Sequence, residues 1–106
     1  MGSIERAVLE QLKGLIARRA PIHKVILFGS RARGDADADS DLDVVVILDG
    51  DVDDALKDHV SDCTWEAGFD HGIVVVPLVY GRREWEEGPE RSSLLARGVE
   101  ADGVLV

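Results

Sequence analysis

Two short groups of residues, Gly29-Ser30 and Asp41-x-Asp43, stand ten residues apart, and each adjoins a strand-like apolar run. Carboxylates at i and i+2 of a strand point to the same face, roughly 6–7 Å apart along the backbone. Asp41 and Asp43 can therefore converge on the same divalent ions while Leu42 packs into the opposite layer. Hard oxygen donors in this number suit Mg²⁺, which takes one or two carboxylates and completes its shell with water and substrate phosphates. Two such ions about 3.5–4 Å apart would clamp the attacking and leaving oxygens of a phosphoryl or nucleotidyl displacement. Gly29 lets a phosphate approach the backbone with no Cβ in the way, and Ser30 adds a hydroxyl and a main-chain N–H at the start of a short helix, where anions are favoured. Arg31 and Arg33 can neutralise triphosphate oxygens. The residues expected to do chemistry and hold metal are thus Asp41 and Asp43, and those expected to hold nucleotide are Gly29, Ser30 and Arg33.

One ligand can touch both groups only if the end of the first strand lies beside the start of the second, as in antiparallel neighbours. The pattern supplies suitable elements. Ile4, Val8, Leu12, Leu15 and Ile16 recur at helical spacing and predict a helix over 4–20, with Ser3 as its N-cap, Arg18-Arg19 near its C-terminal end and Pro21 ending it. His23 to Phe28 reads as the first strand, and a short helix follows from Ser30. Asp41 to Leu48 reads as the second strand, apolar on both faces after Asp43 and hence central in the sheet. Val52, Ala55, Leu56 and Val60 predict a helix over 51–65. Gly72 to Tyr80 is a third strand, at an edge or bulged because Pro77 cannot donate to a ladder. Glu84 to Arg97 reads as one or two short helices broken at Gly88-Pro89, with Leu94 and Leu95 anchoring the second, and Gly103 to Val106 adds a small strand.

The 106 residues, 45% apolar, fit a single domain over 1–106 and leave no room for a second sizeable one. A net charge of −9 argues against non-specific nucleic-acid binding, which needs clustered Lys and Arg, and suits a basic partner or solubility. With Cys63 alone there is no intrachain disulfide and no thiolate metal cluster, which makes a reducing cytoplasm the default. No apolar run approaches the roughly 18 residues of a membrane span and no signal-peptide pattern opens the chain, so a soluble, cytoplasmic protein is expected. His23, His59 and His71 have no metal-ligand spacing. Asp35, Asp37 and Asp39 imitate the start of a calcium loop, but its sixth position is Ser40 instead of Gly and its twelfth is Val46 instead of Glu. Neither a P-loop nor a dinucleotide-binding glycine motif is present.

Gly29-Ser30, ten residues, then Asp41-x-Asp43, with Arg33-Gly34 in the gap and a helix before the first strand, resembles the nucleotidyltransferase superfamily that includes DNA polymerase beta. Length and layout are similar to its minimal branch. The resemblance implies an α/β (α+β) fold with a small mixed sheet of three to four strands and helices packed on it. It also implies Mg²⁺, ATP or another nucleoside triphosphate, and transfer of a nucleoside monophosphate to a hydroxyl with release of pyrophosphate. Members of the minimal branch pair with helical HEPN proteins in toxin–antitoxin modules, the nucleotidyltransferase being the antitoxin and adenylylating a tyrosine of its toxin.

Active members usually carry a third carboxylate on a following strand. Ile73 to Val79 contains no acid, with Asp70 just before it and Glu84 beyond it. The expected function is therefore an adenylyl-type transferase acting as antitoxin, with a catalytically silent module that neutralises its partner by contact as the alternative. Related drug-modifying enzymes carry an additional helical domain for the acceptor pocket, for which this chain has room only if a homo-oligomer builds it.

Overall fold

The computed structural model describes residues 2–34, 40–88, 96–99 and 103–106. Helix α1 spans Ser3–Ala17 and buries Val8, Leu9, Leu12 and Ile16. Of the stripe read from the sequence Val8, Leu12 and Ile16 are buried, Leu15 is partly buried and Ile4 is 43% exposed, while Leu9 joins the core unread. Gly2 occupies the N-cap position with no side-chain cap, so Ser3 is the first helical residue and not the cap, and Arg18 forms the C-cap. Strand β1 (Ile22–Phe28) leads through Gly29 into α2, a single turn over Ser30–Arg33 that Gly34 closes in the left-handed region. Strand β2 (Leu42–Leu48) follows, then α3 (Asp54–His71), β3 (Val75–Gly81), α4 (Arg82–Glu87), a helical turn at 96–99 and β4 (Val104–Leu105). Leu94 and Leu95 lie outside the described residues.

The four strands form one mixed sheet in the order β3-β2-β1-β4. Strand β2 is central, antiparallel to β1 and parallel to β3, and β4 pairs antiparallel with β1 on its other side. Every residue from Val44 to Leu48 is buried, as an apolar run covered on both faces requires. Leu42, Val44, Val46 and Leu48 face the larger core against α1 and α3. Val45 and Ile47 face a smaller one with Trp85, Ala96 and Val99. Pro77 is accommodated because β3 pairs only with β2 among the described residues and so lies at the edge of the sheet.

Helix α3 is longer than its apolar pattern predicts. Asp53 caps it, its carboxylate accepting from the Leu56 N–H at 2.8 Å, and the helix continues past Gly68 to His71. There Gly72 turns left-handed at φ +68, and the Ile73 N–H donates back to the Gly68 carbonyl at 2.9 Å. A Cβ at Gly68 would run into the Ile73 carbonyl oxygen, so this glycine lets the chain fold tightly back into β3.

Candidate active site

The antiparallel register of β1 and β2 sets Phe28 opposite Asp43, so the residue after β1 and the first acid within β2 are neighbours. Gly29 stands there at φ +78, ψ −159, a conformation essentially reserved for glycine. A Cβ on it would lie 2.7 Å from Asp43 Oδ2. The phosphate turn and the acidic pair expected from the sequence are thus brought together. Leu42 is fully buried in the layer facing α1 and α3, leaving Asp41 exposed and Asp43 half-buried on the other side. Asp41 sits one residue before the strand begins. Partial burial, together with the negative charge of Asp41, pushes the Asp43 carboxyl above its usual range.

Two carboxylates close enough to raise a pKa, one exposed and one half-buried, form a donor set that a divalent cation relieves, and they match the one or two acids Mg²⁺ ordinarily takes. Asp41 and Asp43 fit the metal by the chemistry of their oxygens. Among the described residues no group of three or more His, Cys, Asp or Glu side chains is placed to hold a metal. Parallel pairing sets Val76 in register with Asp43, and Val76 is 38% exposed. The two acids that flank this strand in sequence go elsewhere. Asp70 lies on α3, on the opposite layer, and accepts from the Gln11 side-chain amide at 2.7 Å. Glu84 follows the far end of β3, about 20 Å of strand away, and accepts from the Gly81 N–H that starts α4.

Ser30 is half-buried at the first position of α2. Because that helix is a single turn, its offer to an anion is the unpaired N–H groups of a helix start more than a summed dipole. Arg31 departs from the reading made on the sequence. It is 7% exposed, paired with Glu5 of α1 at 3.1 Å, and its Nε donates to the Ser40 carbonyl at 2.9 Å. Instead of facing a triphosphate it ties α2 to α1 and to the residue before Asp41, and so fixes the two halves of the site relative to each other. The sequence carries no local sign of this, since Glu5 lies 26 residues upstream. Replacing Arg31 with alanine strips a buried charge-assisted contact, and urea denaturation is expected to register a loss of about 1.5–3 kcal/mol. The side chain of Arg33 lies outside the described residues, as do Asp35, Asp37 and Asp39.

The nucleotidyltransferase domain family model matches residues 9–99, which include both groups of site residues. The chain belongs to that family. A comparison with curated proteins returned no match. Among solved structures, this nucleotidyltransferase is similar to a chain of a toxin–antitoxin crystal structure with AMP-PNP, at 17% identity and a TM-score of 0.66 over 95% of this chain and 70% of that one. A mutant of the toxin–antitoxin MntA-HpeT gives 16% identity and a TM-score of 0.65 over the same shares. A chain from the tri-AMPylated Shewanella oneidensis HEPN toxin in complex with MNT antitoxin gives 16% and 0.59 over 96% of this chain and 67% of that one. At these identities the likeness is one of fold, and it covers the mixed sheet with its helices. No helix among the described residues is long and apolar enough to cross a membrane.

Proposed function

We propose that this protein is a Mg²⁺-dependent nucleotidyltransferase that moves AMP from ATP onto a hydroxyl of a protein acceptor, a tyrosine of a helical HEPN-type partner, and acts as that partner's antitoxin. The observation that carries the reading is the apposition of Gly29 and Asp43 across the β1/β2 register. The triphosphate would lie along the Gly29-Ser30 turn, and Arg33 would neutralise it. Asp41 and Asp43 would hold the metal, whose chemistry when bound is charge neutralisation on the phosphate oxygens and orientation of the displacement. The acceptor oxygen forms a bond to the α-phosphorus, the bond from that phosphorus to the bridging oxygen breaks, pyrophosphate leaves, and the hydroxyl proton passes to solvent or to a base on the acceptor. The structures of similar fold are described with AMP-PNP in one case and with an AMPylated HEPN toxin in another, which is why adenylate and such a partner are named.

The test is incubation with labelled ATP, Mg²⁺ and the protein encoded beside this one. Label is expected on a tyrosine of that protein and is expected to vanish with Asp41→Ala. An unlabelled partner, or an Asp41→Ala variant as active as the parent, would overturn the enzymatic reading. The apolar residue beside Asp43 supports a second reading, in which the protein neutralises its partner by contact without turnover. If that holds, a folded Asp41→Ala/Asp43→Ala variant still protects cells from the partner's toxicity. Val76→Asp separates the two further. It sets a third carboxylate in register with Asp43 at a partly exposed position, and Mn²⁺ titration is expected to show tighter binding than in the parent.

A further inference from the structure

Helix α3 carries two aromatic side chains on the face it turns to solvent. Trp65 and Phe69, one turn apart, stack with ring centroids 5.0 Å apart and an interplanar angle of 13°, yet are 69% and 70% exposed. Val74, just before β3, is 64% exposed. With Ile73, Val75 and Pro77 they line an open groove of about 580 Å³ between α3 and the outer edge of β3. Trp65, Phe69 and Val74 are three of the six exposed large apolar side chains among the described residues, gathered in one place. A helix packed on a core by one stripe ordinarily leaves its outer face polar, and a contiguous apolar patch there marks an interaction surface.

Charge says what covers it. Asp58, Asp62, Glu66 and Asp70 recur every fourth residue of α3, all exposed, and form a row along one flank of the aromatic pair. Like charges at this spacing weaken a helix on their own. Arg18 and Arg19 lie across a second groove from Asp62 and Glu66, and Lys57 precedes Asp58 on the helix. Asp70 is met by the neutral amide of Gln11. Four carboxylates against these three cations still leave the border negative, in a chain whose net charge is −9. A second copy docking through the same patch would bring two acidic rows together, which like-charge repulsion opposes.

We infer that the Trp65–Phe69 face and its groove against β3 dock a protein segment with an apolar ridge bordered by lysine or arginine. Covering two large aromatics supplies the buried area, and the acidic row sets the partner's sign and orientation. The face belongs to the α1/α3 side of the sheet, whereas Asp43 lies on the other side with Val45 and Ile47. At one end it reaches the site, because the Val74 carbonyl accepts from the Leu42 N–H between the two acids. The inference needs no nucleotide chemistry, so it stands or falls separately from the proposed transfer.

The experiment is fluorescence anisotropy of a labelled amphipathic peptide of about 18 residues, with a leucine ridge bordered by lysines, titrated with the full chain without nucleotide. Saturable binding is expected. It should be accompanied by a blue shift and reduced acrylamide quenching of Trp65, the other tryptophan, Trp85, being only 8% exposed. Phe69→Ser/Val74→Ser should weaken binding at least about tenfold while leaving the thermal melt in place, since both side chains are exposed. Glu66→Gln should weaken it less, with a shallower salt dependence. Equal binding by the Phe69→Ser/Val74→Ser variant, or equal binding of a leucine peptide bordered by glutamates, would overturn the inference. So would a concentration-dependent dimer in sedimentation that this double variant abolishes, which would assign the face to a second copy.

Discussion

Gly29→Ala is expected to lower the melting temperature by about 10 °C and to remove nucleotide binding. Two costs combine. The backbone at φ +78, ψ −159 is closed to residues with a Cβ, at about 1–3 kcal/mol. The new methyl would also lie 2.7 Å from Asp43 Oδ2, so the carboxylate has to leave its place or the strand end has to shift. A loss of about 2 kcal/mol corresponds to roughly 8–16 °C in a domain of this size. Gly34→Ala is the matched control. Gly34 also has a positive φ, +80, but its added Cβ meets nothing within 4 Å among the described residues. That variant should lose only about 1 kcal/mol of backbone preference and keep its affinity for ATP. Differential scanning calorimetry and nucleotide titration check both. Equal behaviour of the two variants would show that the contact with Asp43 has no part in the effect.

Asp43→Asn is expected to act in opposite directions on activity and stability. If Asp41 and Asp43 hold the metal as proposed, losing one of them should cost several kcal/mol of transition-state stabilisation, roughly two to four orders of magnitude in transfer rate. Folding should gain, because burial and the charge of Asp41 make the ionised Asp43 unfavourable in the native state and hold its pKa above 3.8. The sign follows from linkage. Below pH 3.8 Asp43 is protonated in both folded and unfolded chains, and its raised native pKa contributes its full share of stability. As pH rises through the native pKa that share is lost from the parent, while asparagine has nothing to lose. The stability advantage of Asp43→Asn should therefore be small near pH 3 and grow to a plateau by about pH 7. Urea denaturation in chelator measures it. Adding Mg²⁺ should then stabilise the parent and leave the variant unmoved. A gap of constant size from acid to neutral pH would contradict the account.

Much of the site was legible because its elements are local. An apolar run that stops at Gly29-Ser30, and another that starts at Asp41, can share a ligand only as antiparallel neighbours, and β1 and β2 pair that way. Strand alternation from Leu42 to Asp43 turns that acid away from the α1/α3 core, and Asp41, one residue before the strand, is near enough to raise its pKa. What the sequence hid depends on partners distant along the chain. Arg31 looks like a phosphate ligand until Glu5, on another helix, claims it. The helix read over 51–65 ends short of Gly68, and only the return of the chain at Ile73 shows why a glycine continues the helix there. Trp65 and Phe69 would be assigned to a core by residue type, but the wheel of α3 points them outward, because its buried side is already filled by Val60, Cys63, Thr64, Ala67 and Gly68. The position beside Asp43 could not be identified before the parallel register of β3 was known.

The tie made by Arg31 gives the site two halves of unequal stiffness. Asp43 rides on the central strand, an element of the kind that opens with free energies approaching that of global unfolding. The Gly29-Ser30 turn sits instead on the single helical turn α2, held by Ala32 against the larger core and by the Arg31 guanidinium that grips Glu5 and Ser40. Hydrogen exchange should therefore find slow amides through β2 and faster ones in α2. Small opening events that silence the site would begin on the α2 side, well before the fold is lost.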